Sequence, residues 1–213
     1  AIMITLAVDA MGGDAGLAVT IPGALLFLRQ QADVRLLMVG DEVQVRQALE
    51  AANAPMDRIQ IVHAAQVVEM DEQPQSALKN KKDSSMRIAV NQVKEGLAQA
   101  AVSAGNTGAL MATARFVLKT IQGIERPAIA KFIPSQNGHM TLVLDLGANV
   151  DCTPEQLVQF AVIGSELVYA LYPNAGAPRV GLLNVGTEDI KGTDTVKQVF
   201  KLLSGSKLNF VAN

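Results

Sequence analysis

The sequence is poor in the residues on which much enzyme chemistry is built. One cysteine, Cys152, and two histidines, His63 and His139, stand among 213 residues. A lone cysteine forms no internal disulfide, which fits a reducing, cytoplasmic setting. No cysteine–histidine cluster has the spacing of a zinc site. Cys152 has no histidine near it in the sequence and reads as a buried, inert thiol. His63, at the end of an apolar run, and His139, in a turn, read as structural or merely exposed. A surplus of positive charge is also missing: the formal net charge is −2, which argues against a general nucleic-acid binder. The nucleotide fingerprints are absent as well. Glycines at 12, 13 and 16 do not make G-x-G-x-x-G, and no G-x-x-x-x-G-K-[ST] occurs.

Membrane and export signals are missing too. The opening "AIMITLAVDAMGGD" has no basic start and reaches Asp9 too early for a signal peptide. Residues 96–114 carry no charge, but Gln99, Ser103, Asn106, Thr107 and three glycines make the run too polar to span a bilayer.

What remains is apolar and orderly. Apolar residues make up 49% of the chain, enough for a sizeable core without disulfides. Continuous apolar runs read as buried parallel strands: "MITLAVDAM", "VRLLMVGDE", "RIQIVHA", "QAAVSAG" and "RVGLLNVG". Between them, helical spacing predicts helices over 17–31, 42–53, 85–95, 107–119, 154–169 and 193–203. "RPAIAKFIP" and "MTLVLDLGA", joined by "SQNGH" with its Asn-Gly, predict an antiparallel hairpin. "DEQPQSALKNKKDSSMR" reads as a turn-rich basic stretch, with Ser84 or Ser85 as a helix cap. Strand–helix alternation specifies a three-layer α/β/α fold with a mostly parallel, Rossmann-like sheet and a hairpin. No repeat or linker breaks the chain, so residues 1–213 read as one α/β domain.

Ligands in such folds sit beyond the carboxyl ends of strands. Four of those ends carry glycine with Asp, Asn, Ser or Thr: "DAMGGD" (Asp9, Gly12, Gly13, Asp14), "SAGNTGA" (Ser103, Gly105, Asn106, Thr107, Gly108), "DLGANVDC" (Asp145, Gly147, Asn149, Cys152) and "NVGTEDIKGT" (Asn184, Thr187, Lys191). In the second, two readings fit. Gly105 and Gly108 allow close backbone approach, and the first amides of the following helix, with the hydroxyls of Ser103 and Thr107, make a neutral cradle for phosphate. Alternatively, the segment is a tight strand–helix turn capped by Thr107. Asp9 and Asp14 read as a metal ligand or base, or as turn formers. Lys79, Lys81, Lys82 and Arg87 form a basic cluster, either a solvated face or a docking patch for an acidic partner.

"DAMGGD", "SSMR", "KEG", "SAGNTGALM", "GIERPA", "LDLGANVDC" and "LLNVGTEDIKG", in that order and spacing, resemble the bacterial acyl-acyl carrier protein:phosphate acyltransferase family, PlsX. The resemblance implies that inorganic phosphate attacks the thioester of a long-chain acyl carrier protein, giving acyl phosphate for phospholipid synthesis. It implies a fold similar to phosphate acetyltransferases and isopropylmalate dehydrogenases, and a homodimer. It also implies peripheral association with the membrane, or with the membrane acyltransferase that uses acyl phosphate. Family members are longer, so the chain reads as an N-terminal part.

Under this reading Ser103, Gly105, Asn106, Thr107 and Gly108 bind phosphate. Asn106, Asn149, Asn184 and Lys191 serve catalysis, with Asn149, Asn184 and Thr187 as candidates for the second side of a cleft. Lys191 is the cation for developing charge, and Asp9, Asp14 and Asp145 order their loops. Gly12, Gly13 and Gly147 line the substrate site, and Lys79, Lys81, Lys82 and Arg87 meet the carrier protein. No metal or organic cofactor is required. The rival expectations are a coenzyme A-dependent phosphotransacylase, a nucleotide-dependent dehydrogenase, and a non-catalytic scaffold that recruits carrier protein or membrane.

Overall fold

The computed structural model describes residues 3–147, 149, 151–184 and 193–212. Two compact units divide the chain, Ala1–Lys119 and Thr120–Asn213.

The first unit holds β1 (Ile4–Asp9), α1 (Leu17–Gln30), β2 (Val34–Gly40), α2 (Glu42–Ala51), β3 (Ile59–His63), α3 (Pro74–Asn80), α4 (Ser85–Lys94), β4 (Ala100–Val102) and α5 (Thr107–Leu118). Its four strands pair in parallel in the order β3-β2-β1-β4. The registers set Ile4 beside Val34, Leu6 beside Ala100, and Leu36 beside Ile59.

The pleat explains the apolar runs. In β2, Leu36 and Met38 enter one core with Ile21, Leu25 and Leu28 of α1 and Val45 and Leu49 of α2. Leu37 and Val39 point to the other face, where they meet Ala7, Ala89 of α4 and Ala98. A strand covered on both faces must be apolar at every position, and each buried Leu or Val here stabilises by roughly 1.5–3 kcal/mol. The result is the helix–sheet–helix layering that the alternation predicts.

Side-chain caps start the helices at polar residues. Asp41 accepts from the Gln44 amide at 2.9 Å, Ser84 from Arg87 at 3.1 Å and Asn106 from Ala109 at 3.0 Å. Such caps are worth roughly 1 kcal/mol each. The far end of α1 is closed by a distant residue. Arg58 donates to the carbonyl of Leu28 at 2.9 Å, to that of Val34 at 2.8 Å, and to that of Gln31. Orphan helix carbonyls are thereby satisfied by a five-donor guanidinium.

The second unit holds β5 (Lys131–Pro134), β6 (Met140–Val143), α6 (Pro154–Leu171), β7 (Arg179–Gly181), α7 (Asp194–Ser204) and β8 (Asn209–Ala212). β5 and β6 form the antiparallel hairpin, with Lys131 opposite Val143 and Pro134 opposite Met140. α6 opens with a capping box between Thr153 and Gln156, followed by Pro154 in the first turn. Thr193 caps α7, and β7 pairs in parallel with β8.

Two expectations need revision. The turn-rich reading of residues 71–87 misses α3, a seven-residue helix that starts on Pro74. Proline at the first helical position is a start signal, because its missing N–H has no helical acceptor to lose. The strand expected at "RVGLLNVG" is short, Arg179–Gly181; its last two residues lie outside those described.

Candidate functional site

The strand order creates the site. β1, β2 and β3 are laid down successively to one side, and β4 then returns to the other side of β1. The strand order thus reverses between β1 and β4, and the region beyond the carboxyl ends of the strands at such a reversal is where a doubly wound sheet takes its ligand. Asp9 ends β1, and Ser103 follows β4 directly.

These loops are locked together. Asp9 is 2% exposed. The Ser103 hydroxyl donates to Asp9 Oδ2 at 2.7 Å and accepts from the Gly105 amide at 3.0 Å. Asp9 Oδ1 is buried and, among the described residues, has no partner. Gly12 fits against the same carboxylate: a Cβ there would lie 2.5 Å from Asp9 Oδ2 and 3.2 Å from the Gly105 nitrogen. Gly13 has φ of 90°, and its Cβ would lie 3.1 Å from the Ala104 carbonyl oxygen, a conformation side chains resist. Thus the structure brings Asp9, Gly12, Gly13, Ser103 and Gly105 together, while Asp14 is exposed.

The next turn presents donors. Ala109 N is taken by the Asn106 cap, and Leu110 N by the Asn106 carbonyl at 2.9 Å. Helix geometry leaves Thr107 and Gly108 with no acceptor inside the helix, and no other acceptor among the described residues reaches their amides. Both residues are exposed. Two free amides at the positive end of a twelve-residue helix suit an anion. The Ser103 proton is committed to Asp9, so Ser103 shapes the loop instead of donating to that anion. The Asn106 amide is likewise engaged. Its Nδ2 donates to the carbonyls of Glu72 at 2.8 Å, Met70 at 3.0 Å and Glu69 at 3.3 Å.

The basic cluster is not a uniform patch. Lys81 Nζ donates to the Val67 carbonyl at 2.7 Å and lies 3.6 Å from Glu72. Arg87 lies over the Phe116 ring at 5.0 Å, with Lys119 at 4.8 Å from the same ring. Lys79 and Lys82 are the exposed members.

In the second unit, "GIERPA" and "DLGANVDC" meet. Asp145 accepts from Ile129 N at 3.1 Å and, through its other oxygen, from both the backbone amide and Nδ2 of Asn149 at 2.8 Å. Asn149 Nδ2 also reaches the Pro127 carbonyl at 3.1 Å. Glu125 accepts from Gln156 at 2.8 Å. Asp145 thus orders its loop, and Gly147 supplies the left-handed turn with φ of 82°. Burial pushes the Cys152 thiol above its ordinary value, and the charge of Asp145 adds to this, while Arg126 opposes it. Asn184 is partly buried at the end of a described segment. Thr187 and Lys191 lie outside the described residues. Among those described, no group of three or more His, Cys, Asp or Glu residues could hold a metal ion.

Two supporting residues and one supporting segment escape sequence reasoning. Met86 packs under Gly105, whose Cβ would lie 3.0 Å from the methionine methyl. Pro74 fills the space beside Gly108, where an added Cβ would lie 2.8 Å from the proline ring. The backbone of 69–72 engages Asn106. Of these, only Pro74 carried a local signal.

The fatty acid synthesis protein family model matches residues 4–213. The phosphate acyltransferase of Neisseria meningitidis serogroup C is 79% identical over 211 residues, covering 99% of this chain and 60% of that protein. The phosphate acyltransferase of Chromobacterium violaceum is 62% identical over 99% of this chain and 61% of its own length. The chain therefore spans about 60% of the length of the curated relatives it matches. Among solved structures, a phosphotransacetylase from Streptococcus pyogenes superposes with a TM-score of 0.70 at 15% identity, over 99% of this chain and 68% of that one. At that identity the likeness establishes the fold.

Proposed function

Because the chain belongs to the fatty acid synthesis protein family, we propose that it carries the phosphate-binding part of an acyl-carrier-protein:phosphate acyltransferase. The observation that carries this reading is the pair of free amides, of Thr107 and Gly108, at the start of α5, just beyond the ends of β1 and β4.

Hydrogen phosphate is already anionic at neutral pH, so a serine–histidine or cysteine–histidine pair is not needed to activate it. What the protein supplies is position and charge stabilisation. The Thr107 and Gly108 amides and the Thr107 hydroxyl hold the phosphate oxygens. A neutral cradle orients the anion with less loss of nucleophilicity than a lysine contact would cause. A phosphate oxygen attacks the thioester carbonyl, a C–O bond forms, and the carbonyl becomes a tetrahedral oxyanion. Collapse breaks the C–S bond, and the carrier thiolate takes up the proton that the phosphate gives up. The products are acyl phosphate and free carrier thiol.

Ser103, Gly105 and Asp9 fix the loop. Asn184 and Lys191, with Thr187, are the candidates for polarising the carbonyl, a role typically worth roughly 2.7–4 kcal/mol of barrier per donor; Asn149, expected in the same role, gives its Nδ2 hydrogens to Asp145 and the Pro127 carbonyl and braces its loop instead. No metal or organic cofactor is needed for these steps. Lys79 and Lys82 are the candidates for carrier docking. The cytoplasmic setting, the homodimer and the peripheral membrane association rest on the resemblance; among the described residues no helix is long and apolar enough to cross a membrane.

The test is acyl phosphate formation. This chain and the full-length Neisseria meningitidis relative are incubated with long-chain acyl carrier protein and phosphate. Released thiol is counted and the product trapped with hydroxylamine. Trappable product from both supports a site within these residues. Product from the relative alone restricts the chain to phosphate binding. Product from neither refutes the reading.

A further inference from the structure

Asn106 makes more contacts than a helix cap requires. Its Oδ1 caps α5, and its Nδ2 gathers the carbonyls of Glu69, Met70 and Glu72, which lie 34–37 residues away in sequence. An NH2 group has two hydrogens, so three acceptors within 3.3 Å share them. This segment has no regular secondary structure. It is pinned at two further points: Lys81 holds the Val67 carbonyl and pairs with Glu72, and Pro74 sits 2.8 Å from where a Gly108 Cβ would be. Residues 67–74 thereby form a rim against the first turn of α5, the same turn whose Thr107 and Gly108 amides are free.

The rim is electrostatically hostile to an anion. It carries Glu69, Asp71 and Glu72, and three carbonyl dipoles whose negative ends would repel phosphate if they turned toward the Thr107–Gly108 amides. Those oxygens instead converge on the one neutral donor at the helix N-cap. We propose that Asn106 is a positioning residue: it pins segment 69–72 and keeps three carbonyl oxygens turned away from the anion site, so that the cradle accepts phosphate. This rests on the phosphate reading above. It differs from the expectation that Asn106 itself contacts phosphate.

Asn106→Ser separates the two functions of the side chain, because serine caps a helix as well as asparagine does but cannot reach the carbonyls. Asn106→Asp keeps size and cap but sets a carboxylate oxygen against the three carbonyls. Three measurements apply to each variant and to the parent chain. These are cleavage by a glutamate-specific protease after Glu69 and Glu72, phosphate affinity by calorimetry, and, in the full-length protein, KM for phosphate and for acyl carrier protein.

For Asn106→Ser, cleavage at these two sites should rise about fivefold or more. Phosphate affinity should fall by a similar factor, with KM for the acyl carrier unchanged. Asn106→Asp should show a larger loss of phosphate affinity at equal or greater cleavage. Unchanged cleavage in both variants would overturn the pinning role. Faster cleavage with undiminished phosphate affinity would overturn the link between the rim and the anion. A parent chain that binds no phosphate sinks the functional reading, while the cleavage comparison still decides the pinning.

Discussion

Replacing Gly12 with alanine should damage the site through one named atom. The added Cβ would lie 2.5 Å from Asp9 Oδ2 and 3.0 Å from Asp9 Cγ. Real Cβ atoms do not approach heavy atoms this closely, so something must move. Asp9 is 2% exposed and holds Ser103 at 2.7 Å, which in turn holds the Gly105 amide. If the carboxylate swings away, a hydrogen bond to a charged acceptor is lost, worth roughly 1.5–3 kcal/mol. If it stays, the overpacking costs roughly 1–3 kcal/mol. Relaxation exchanges one cost for the other, so a net destabilisation of about 1–3 kcal/mol is expected. For a chain of this size that corresponds to a melting-temperature drop of roughly 2–12 °C. Urea unfolding followed by far-ultraviolet circular dichroism measures it. The decisive comparison is a double-mutant cycle with Asp9→Ala. Without the carboxylate the new methyl group has room, and Gly12→Ala should then cost less than about 1 kcal/mol. If the two costs simply add within about 0.5 kcal/mol, the carboxylate is not why position 12 must be glycine.

Three other outcomes are expected. Cys152, pushed up by burial and by Asp145, should be less thiolate at any given pH than a free cysteine. Its alkylation by iodoacetamide should therefore be slow at neutral pH and rise only at more alkaline pH. Arg126→Gln removes the opposing charge and should slow it further; a faster rate would contradict the assignment. Arg58→Ala removes the donor shared by the Leu28, Gln31 and Val34 carbonyls, and should cost about 2–4 kcal/mol by urea unfolding. Lysine at that position should recover only part, because it lacks the planar fork. Charge reversal of Lys79 and Lys82 should weaken acyl carrier protein binding in low salt and matter little at high salt. Equal binding at every ionic strength would make these two lysines a solvated face.

Much of the first unit was legible because its physics is local. β2 is apolar at consecutive positions because both its faces are covered, and Ser84 marks a helix start because its hydroxyl accepts an amide three residues on; at α5 the cap is Asn106 and not the expected Thr107, which is the first helical residue. α3 was hidden because seven residues are too few to show a period, leaving only Pro74 as a signal. The site was half legible. Glycines with small polar residues at strand ends show where a ligand approaches. They do not show who bonds to whom. Ser103 gives its proton to a carboxylate 94 residues away, so its hydroxyl reads as a ligand donor in sequence and as a loop brace in structure. Lys81 misled for the same reason: its charge is visible in the sequence, but its engagement with the Val67 carbonyl is not. The strand order was also out of reach, since chain order fixes which strands exist and not where β4 returns.

That return has a consequence in time. β1 is made first, yet its second neighbour is β4, with Val8 beside Val102. A ribosome adds the roughly ninety intervening residues in about 5–20 s. For that interval one edge of β1 is without its native neighbour, a ready template for pairing with another nascent chain. Asp9 waits through the same interval for the hydroxyl it will accept. The Asp9–Ser103 bond is therefore the last feature of this sheet to exist, and conditions that slow synthesis between residues 9 and 102 should lower the yield of active protein more than they lower its rate of production.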